Sequence, residues 1–158
     1  MDSPTGEHRE DLDKVLLVSH AFPPDVGGSQ QVAVQNARAL SSEYDVEILT
    51  GTNAPKSWDQ RYAFTVTRLS TPFGVWPFHY ARAFAARSDQ SYRAVIFNDP
   101  AALYAAGLFA PSSFLKLGIG YLHGSEPELF FSRPKLLYRL VRFRHYFERG
   151  LEGCRVIV

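Results

Sequence analysis

Residues 14–50 constrain the fold more than any other part of the chain, because an apolar run is followed there by a loop, a helix and a second apolar run. Residues 14–19 (KVLLVS) are rich in branched apolar side chains, which is typical of a strand buried on both faces of a parallel sheet. Residues 20–31 contain two prolines and two glycines, which predicts a loop. Apolar residues then recur at helical spacing from Ser29, the predicted N-cap, before a strand predicted at residues 46–50. This succession is typical of the β-α-β unit of a doubly wound sheet.

Strands and helices continue to alternate through the rest of the chain. Residues 64–69 alternate apolar and polar side chains, which predicts a strand near an edge of the sheet. Further strands are predicted at residues 94–97, 115–122 and 155–158, and helices at residues 80–87, 101–109 and 135–149. The pattern predicts one α/β domain at residues 14–158, after a leader at residues 1–13. Its sheet is expected to be Rossmann-like, doubly wound and mostly parallel, with helices on both faces.

Charge and cysteine content narrow the classes of function. Seventeen Lys and Arg against sixteen Asp and Glu leave a net charge of +1, so no overall positive field favours nucleic acid as a partner. Cys154 is the only cysteine, which excludes an intramolecular disulfide and is typical of a reducing compartment. No stretch approaches the roughly 18 consecutive apolar residues that span a bilayer. The histidines and the cysteine lack metal-ligand spacing, so we expect no bound metal. The single cysteine and the lack of a bilayer-spanning stretch predict a cytoplasmic protein.

The first candidate site is the glycine loop after the first predicted strand. In an open parallel sheet, ligands bind beyond the carboxyl ends of the strands. Gly27 and Gly28 permit positive φ there, and they remove Cβ atoms that would keep a ligand away from backbone N–H groups. Together with Ser29 they lie at the start of a helix, whose dipole favours an anion such as phosphate. The alternative is a purely structural turn, and the spacing fits neither a dinucleotide nor an NTP motif.

Two further loops follow later strands. His123, Gly124 and Glu126 come after the fifth predicted strand, where an imidazole can hydrogen-bond a hydroxyl or a phosphate. A structural histidine that caps the strand is the alternative. Asp99 follows the fourth predicted strand and either contacts the ligand or closes the turn by accepting hydrogen bonds from backbone N–H groups.

Several of these segments carry a family resemblance. Residues 15–32 (VLLVSHAFPPDVGGSQQV), 39–40 (AL) and 46–50 (VEILT) resemble the start of a family-4 retaining glycosyltransferase of GT-B fold. Residues 123–126 (HGSE), the basic helix and residues 154–158 (CRVIV) resemble the second half of the same family's N-terminal domain. Such enzymes pair an acceptor-binding N-terminal domain with a C-terminal domain that holds the nucleotide-sugar donor. The resemblance therefore implies that the donor-binding domain is absent, and we expect no sugar transfer by this chain alone.

The resemblance also implies roles for particular residues. Gly27 and Gly28 would approach the donor diphosphate, and His123 would be the catalytic residue beside the transferred sugar. The nucleotide-sugar is then a co-substrate, no metal or other cofactor is needed, and the acceptor is a glycan or a lipid-linked carrier in polysaccharide or glycolipid assembly. Asp25 has no counterpart in the family's loop, and it would repel a diphosphate unless its side chain points away.

Two other functions are compatible with the same residues. One is a non-catalytic module, derived from a truncated glycosyltransferase, that binds an acceptor or a partner subunit. The other is a different GT-B-like enzyme, such as a sugar-nucleotide epimerase.

The helix predicted at residues 135–149 is strongly basic. Lys135, Arg139 and Arg142 share one of its faces, which is either a solvated charged surface or a contact with anionic lipid. A lipid contact is worth about 1 kcal/mol for each basic residue, and it suits a peripheral protein at the inner face of a membrane. The apolar positions at helical spacing predict a stripe that faces the core: Leu136, Leu140, Phe143 and Phe147.

Overall fold

A six-stranded, all-parallel sheet lies at the centre of the structure. The structure is a computed structural model that describes residues 12–69, 76–124 and 136–158. The strands are β1 (Lys14–Val18), β2 (Asp45–Thr50), β3 (Thr65–Arg68), β4 (Ala94–Phe97), β5 (Gly118–Gly120) and β6 (Val156–Ile157). Their order in the sheet is β3-β2-β1-β4-β5-β6, and every pairing is parallel. The predicted Rossmann-like, doubly wound α/β fold is confirmed, and β3 lies at an edge as predicted.

Helices flank both faces of this sheet. In the described ranges they are α1 (Gly28–Leu40), α2 (Lys56–Asp59), α3 (Trp76–Ala85), α4 (Pro100–Phe109), α5 (Ser112–Lys116), α6 (Leu136–Leu140) and α7 (Phe143–Gly153). Among the described residues, no helix is both long enough and apolar enough to cross a membrane.

The burial of β1 explains why both faces are covered. Its four side chains from Val15 to Val18 are all buried. Val15 and Leu17 join one apolar cluster, which contains Ala33 and Ala37 of α1. Leu16 and Val18 of β1 join a second cluster, which contains residues of α3, α4 and α7. Because successive side chains of a strand point to opposite faces, a continuous apolar run needs a helical layer on each side.

The prediction of a long fifth strand at residues 115–122 is wrong. A helical turn after Pro111 forms α5, so the strand is confined to Gly118–Gly120. Both glycines lie against neighbouring atoms, since an added Cβ at Gly118 would be 2.8 Å from the carbonyl oxygen of Leu115. An added Cβ at Gly120 would be 3.1 Å from a methyl of Leu151 in α7. The close approach of helices thus requires glycine in this strand.

The prediction of one continuous helix at residues 135–149 is also wrong. Arg142 adopts a left-handed conformation with φ of 50°, which ends α6 and starts α7 in a new direction. Phe143 and Phe147 are buried as predicted. Leu136 and Leu140, however, are 69% and 72% exposed, because the break removes α6 from the register of the core stripe.

Two glycines bring the backbones of α4 and α7 into contact. An added Cβ at Gly107 of α4 would collide with the carbonyl oxygen of Tyr146, and one at Gly150 of α7 would collide with that of Leu103. Most of α4 is buried, which is typical of a helix that is apolar around its whole circumference. This crossing therefore depends on the absence of two side chains.

We predict that Gly150→Ala lowers the free energy of unfolding by about 1 to 3 kcal/mol, because the methyl group forces the two helices apart. The better helix propensity of alanine, about 1 kcal/mol, offsets part of this loss. Urea denaturation would measure the change. Gly28→Ala is the matched control, since an added Cβ there meets no atom within 4 Å. Equal losses in the two variants would contradict a tight α4–α7 crossing.

Candidate functional site

Buried polar side chains collect at the carboxyl ends of three strands. Among the described residues these are Ser19, Thr50, Thr52, Asn98 and Asp99, which end or follow β1, β2 and β4. Polar groups are costly to bury unless they are hydrogen-bonded. The chain also turns to opposite faces of the sheet after β1 and β4, which makes this edge a topological switch point, where ligands bind in open α/β sheets. This edge is therefore the candidate site.

Asn98 joins the three loops that meet there. Its side chain is fully buried, and its Nδ2 donates hydrogen bonds to Ser19 Oγ at 3.1 Å and to the carbonyl oxygen of Ser29 at 2.9 Å. Its backbone carbonyl accepts a short hydrogen bond from Nε2 of His123. The end of β1, the start of α1 and the segment after β5 are thus held by one residue. Asn98 was not among the residues predicted from the sequence to form the site, although the rule that ligands bind beyond strand ends applies to it equally.

The carboxylate of Asp99 is occupied by structural hydrogen bonds. Oδ1 accepts from the backbone N–H of Ala102 at 2.8 Å and so caps α4. Oδ2 accepts from Ser19 Oγ at 3.1 Å and from the N–H of Ala21 at 3.3 Å. With 5% exposure, Asp99 closes this turn, which is the second of the two roles that its position in the sequence allowed.

The start of α1 is not capped by a side chain. The N-cap is Gly27, so the prediction that Ser29 caps the helix is wrong, and Ser29 Oγ instead donates to Gln30 Oε1 at 3.1 Å. The expected positive φ in this loop is also wrong for Gly27, which is extended with φ of 174°. The first turn contains no acidic residue, and space is open around Gly28. An anion could therefore approach the first N–H groups of α1.

His123 lies beside Asn98, and Gly124 follows it. Because the Asn98 carbonyl can only accept, the proton of a neutral His123 ring lies on Nε2, which makes Nδ1 an acceptor. Gly124 has φ of 79°, a conformation that favours glycine, and an added Cβ there would meet nothing within 4 Å.

The other candidate residues divide into two groups. Glu126 and Lys135 lie outside the described residues. Arg139 lies on α6, and Arg142 lies two residues beyond the end of α6; both side chains are exposed. The structure thus brings Gly28, Ser29 and His123 around Asn98, whereas Arg139 lies on α6 and Arg142 lies in the turn after it.

His20 is a residue of this edge that the sequence analysis missed. It follows β1, its ring packs on Trp76 with centroids 4.3 Å apart, and its Nδ1 lies 3.4 Å from the hydroxyl of Tyr80. An added Cβ at Gly51 would lie 2.5 Å from the same ring. Burial lowers the pKa of His20, against the opposing effect of the Asp99 and Asp25 carboxylates. The signal that could have found it is its position just after a buried strand.

The loop that precedes α1 is fixed by polar contacts to β2 and β3. Asp25 Oδ2 accepts from Thr52 Oγ1 at 2.9 Å, so this carboxylate is held on the segment after β2. Arg68 donates to the carbonyl oxygens of Pro23 at 2.8 Å and Thr52 at 2.7 Å, and it pairs with Asp59. The guanidinium therefore ties the proline segment to the edge strand.

Within the described part of the chain, no group of three or more His, Cys, Asp or Glu residues could hold a metal ion. No protein-family model matches the sequence, and no curated protein matches it either.

We predict that His20 makes stability fall in mild acid. In the unfolded chain its pKa returns to about 6.5, so the unfolded state binds more protons than the folded state as the pH falls through that value. The free energy of unfolding of the parent should then decrease more steeply between about pH 7 and pH 5 than that of His20→Gln. Urea denaturation over this range measures both slopes. His145→Gln, which replaces an exposed histidine of α7, is the control, and identical slopes for parent and His20→Gln would refute the prediction.

Proposed function

We propose that this chain is the N-terminal, acceptor-side domain of a glycosyltransferase. The enzyme would move a sugar from a nucleotide-sugar donor to a glycan or a lipid-linked acceptor. The donor-binding half would come from a second domain across a cleft, as the family resemblance implies.

The observation that carries the proposal is the meeting of the α1 start and His123 on Asn98. The backbone carbonyl of Ser29, in the first turn of α1, accepts from the same asparagine whose carbonyl accepts from His123. A diphosphate at the start of α1 would therefore lie close to the imidazole. That is the arrangement needed to hold a leaving group and contact the sugar attached to it.

The chemistry follows from these groups. Transfer breaks the bond between the anomeric carbon and the diphosphate oxygen, so negative charge grows on the leaving group. The first N–H groups and the dipole of α1 would stabilise that charge without reorganisation. The imidazole of His123, oriented by the Asn98 carbonyl, would hydrogen-bond a sugar hydroxyl or stabilise charge that develops on the sugar.

Replacing Gly28 by Val should weaken diphosphate binding while the fold is retained. The branched side chain would fill the open space beside the first N–H groups, where no atom lies within 4 Å of an added Cβ. We expect a loss of about tenfold or more in affinity, as for a charge-assisted hydrogen bond. Amide chemical-shift titrations of the chain with UDP, GDP and inorganic pyrophosphate would measure it.

Gln31→Val is the matched control for this experiment. It places the same side chain on an exposed position one turn further into α1. Equal affinities of Gly28→Val and the parent for UDP, GDP and pyrophosphate would indicate that the glycine loop is a structural turn. Absence of any shift at Gly28 or Ser29 in the parent would count against the proposed site.

His123→Ala in a complete enzyme should lower turnover by about 10² to 10³, or roughly 3 to 4 kcal/mol of transition-state stabilisation. Loss of the hydrogen bond to Asn98 should lower stability by about 1 kcal/mol. Turnover and thermal unfolding measured on one preparation separate the two effects. His145→Ala serves as the control, since it removes an exposed histidine of α7.

The same assay separates the alternatives. Parental turnover in folded His123→Ala would remove this residue from the site. A complete enzyme that changes the sugar nucleotide without transferring its sugar would be an epimerase. Acceptor binding without turnover under any donor would favour a non-catalytic module.

A further inference from the structure

An exposed apolar surface lies on α6 and the turn that follows it. Its side chains are Leu136, Leu137, Leu140 and Val141, which are 69%, 63%, 72% and 39% exposed, and we call these four residues the α6 surface. Isolated exposed apolar residues are common in folded proteins, but four within six consecutive positions are a contiguous patch that calls for a partner.

The orientation of this surface is set by packing on the opposite side of α6. The ring of Tyr138 is partly buried and stacks on Phe143, with centroids 4.9 Å apart. The carbonyl oxygen of Val141 accepts a hydrogen bond from the hydroxyl of Tyr104 in α4 at 3.2 Å. The left-handed Arg142 then turns the chain into α7. The leucines therefore project outward from a helix anchored to the core.

Positive charge surrounds the α6 surface. Arg139 lies between the leucines and Arg142 directly after Val141, and both are exposed. Residues 133–147 contain no Asp or Glu, so the local charge is positive throughout. Arg144 is the next basic residue, and its ion pair with Glu148 makes it a weaker contributor to this field.

We propose that the α6 surface docks onto an anionic lipid bilayer. The leucines would enter the boundary between headgroups and acyl chains, and Arg139 and Arg142 would contact lipid phosphates. Apolar side chains interleaved with arginines match an anionic lipid interface in both chemistry and charge. Docking through the α6 surface does not depend on the proposed sugar transfer.

Sedimentation with lipid vesicles tests the proposal on the whole 158-residue chain. Vesicles of phosphatidylcholine and phosphatidylglycerol in equal amounts should bind the chain, and the binding should weaken as salt is added. Vesicles of phosphatidylcholine alone should bind far less. Arg139→Gln with Arg142→Gln should weaken binding to the anionic vesicles about 25-fold, from about fivefold for each basic residue. Replacing Leu136, Leu137 and Leu140 by Gln should weaken it about tenfold or more.

Matched controls use exposed residues on other elements. Arg38→Gln with Arg93→Gln removes the same charge from α1 and from the segment before β4, and Val26→Gln removes an apolar side chain that is 92% exposed in the glycine loop. Both should bind like the parent, and circular dichroism would verify that every variant is folded. Equal binding to neutral and anionic vesicles, or equal losses in the control and test variants, would overturn the proposal. So would concentration-dependent self-association that the leucine variant abolishes, since the α6 surface would then join two copies of the chain.

Discussion

The burial of β1 on both of its faces is the constraint on which the rest of the structure depends. An apolar strand with no solvated face must lie inside a sheet, and a parallel sheet supplies a helical layer on each side. β1 accordingly pairs with β2 on one side and β4 on the other, and its side chains enter two separate apolar clusters. At the carboxyl ends of β1 and β4 the chain turns out of the buried sheet into loops. Buried polar side chains such as Ser19 and Asn98 lie in these turns.

Asn98 shows how that burial produces a candidate site. Buried polar groups favour hydrogen-bond partners, and the Nδ2 of this fully buried amide finds them at the end of β1 and in the first turn of α1. The same residue uses its carbonyl to orient His123. Stability and proposed function therefore involve the same cluster of residues: the hydrogen bonds of Asn98 Nδ2 and of the Asn98 carbonyl bring an uncapped helix start next to an imidazole. Asp99 has a different role from Asn98: its carboxylate accepts hydrogen bonds that cap α4 and close the turn after β1.

The packing of α4 and α7 depends on glycines, which have no side chain. Gly107 and Gly150 let α4 and α7 touch, and the glycines of β5 let α7 and Leu115 approach the sheet. With α7 held this closely, the left-handed Arg142 turns α6 away from the core stripe and its leucines toward solvent. The close packing of α7 against α4 and the turn at Arg142 together leave the α6 surface exposed, and this is the surface that we propose docks onto lipid.

The sequence by itself determined the strand-loop-helix-strand start of the chain, the bounds of β4, and the position of His123 beyond a strand end. Those features rest on local periodicity and on breakers, which residues a few positions apart encode. Tertiary structure alone decided the cap of α1, the break at Arg142, the short β5 and the roles of Asn98 and His20. Each of these depends on atoms supplied by distant segments: Asn98 on residues 19 and 29, and His20 on Trp76 and Gly51. Local patterns carry no information about such partners, because hydrogen bonding and close packing are settled only when separate elements meet.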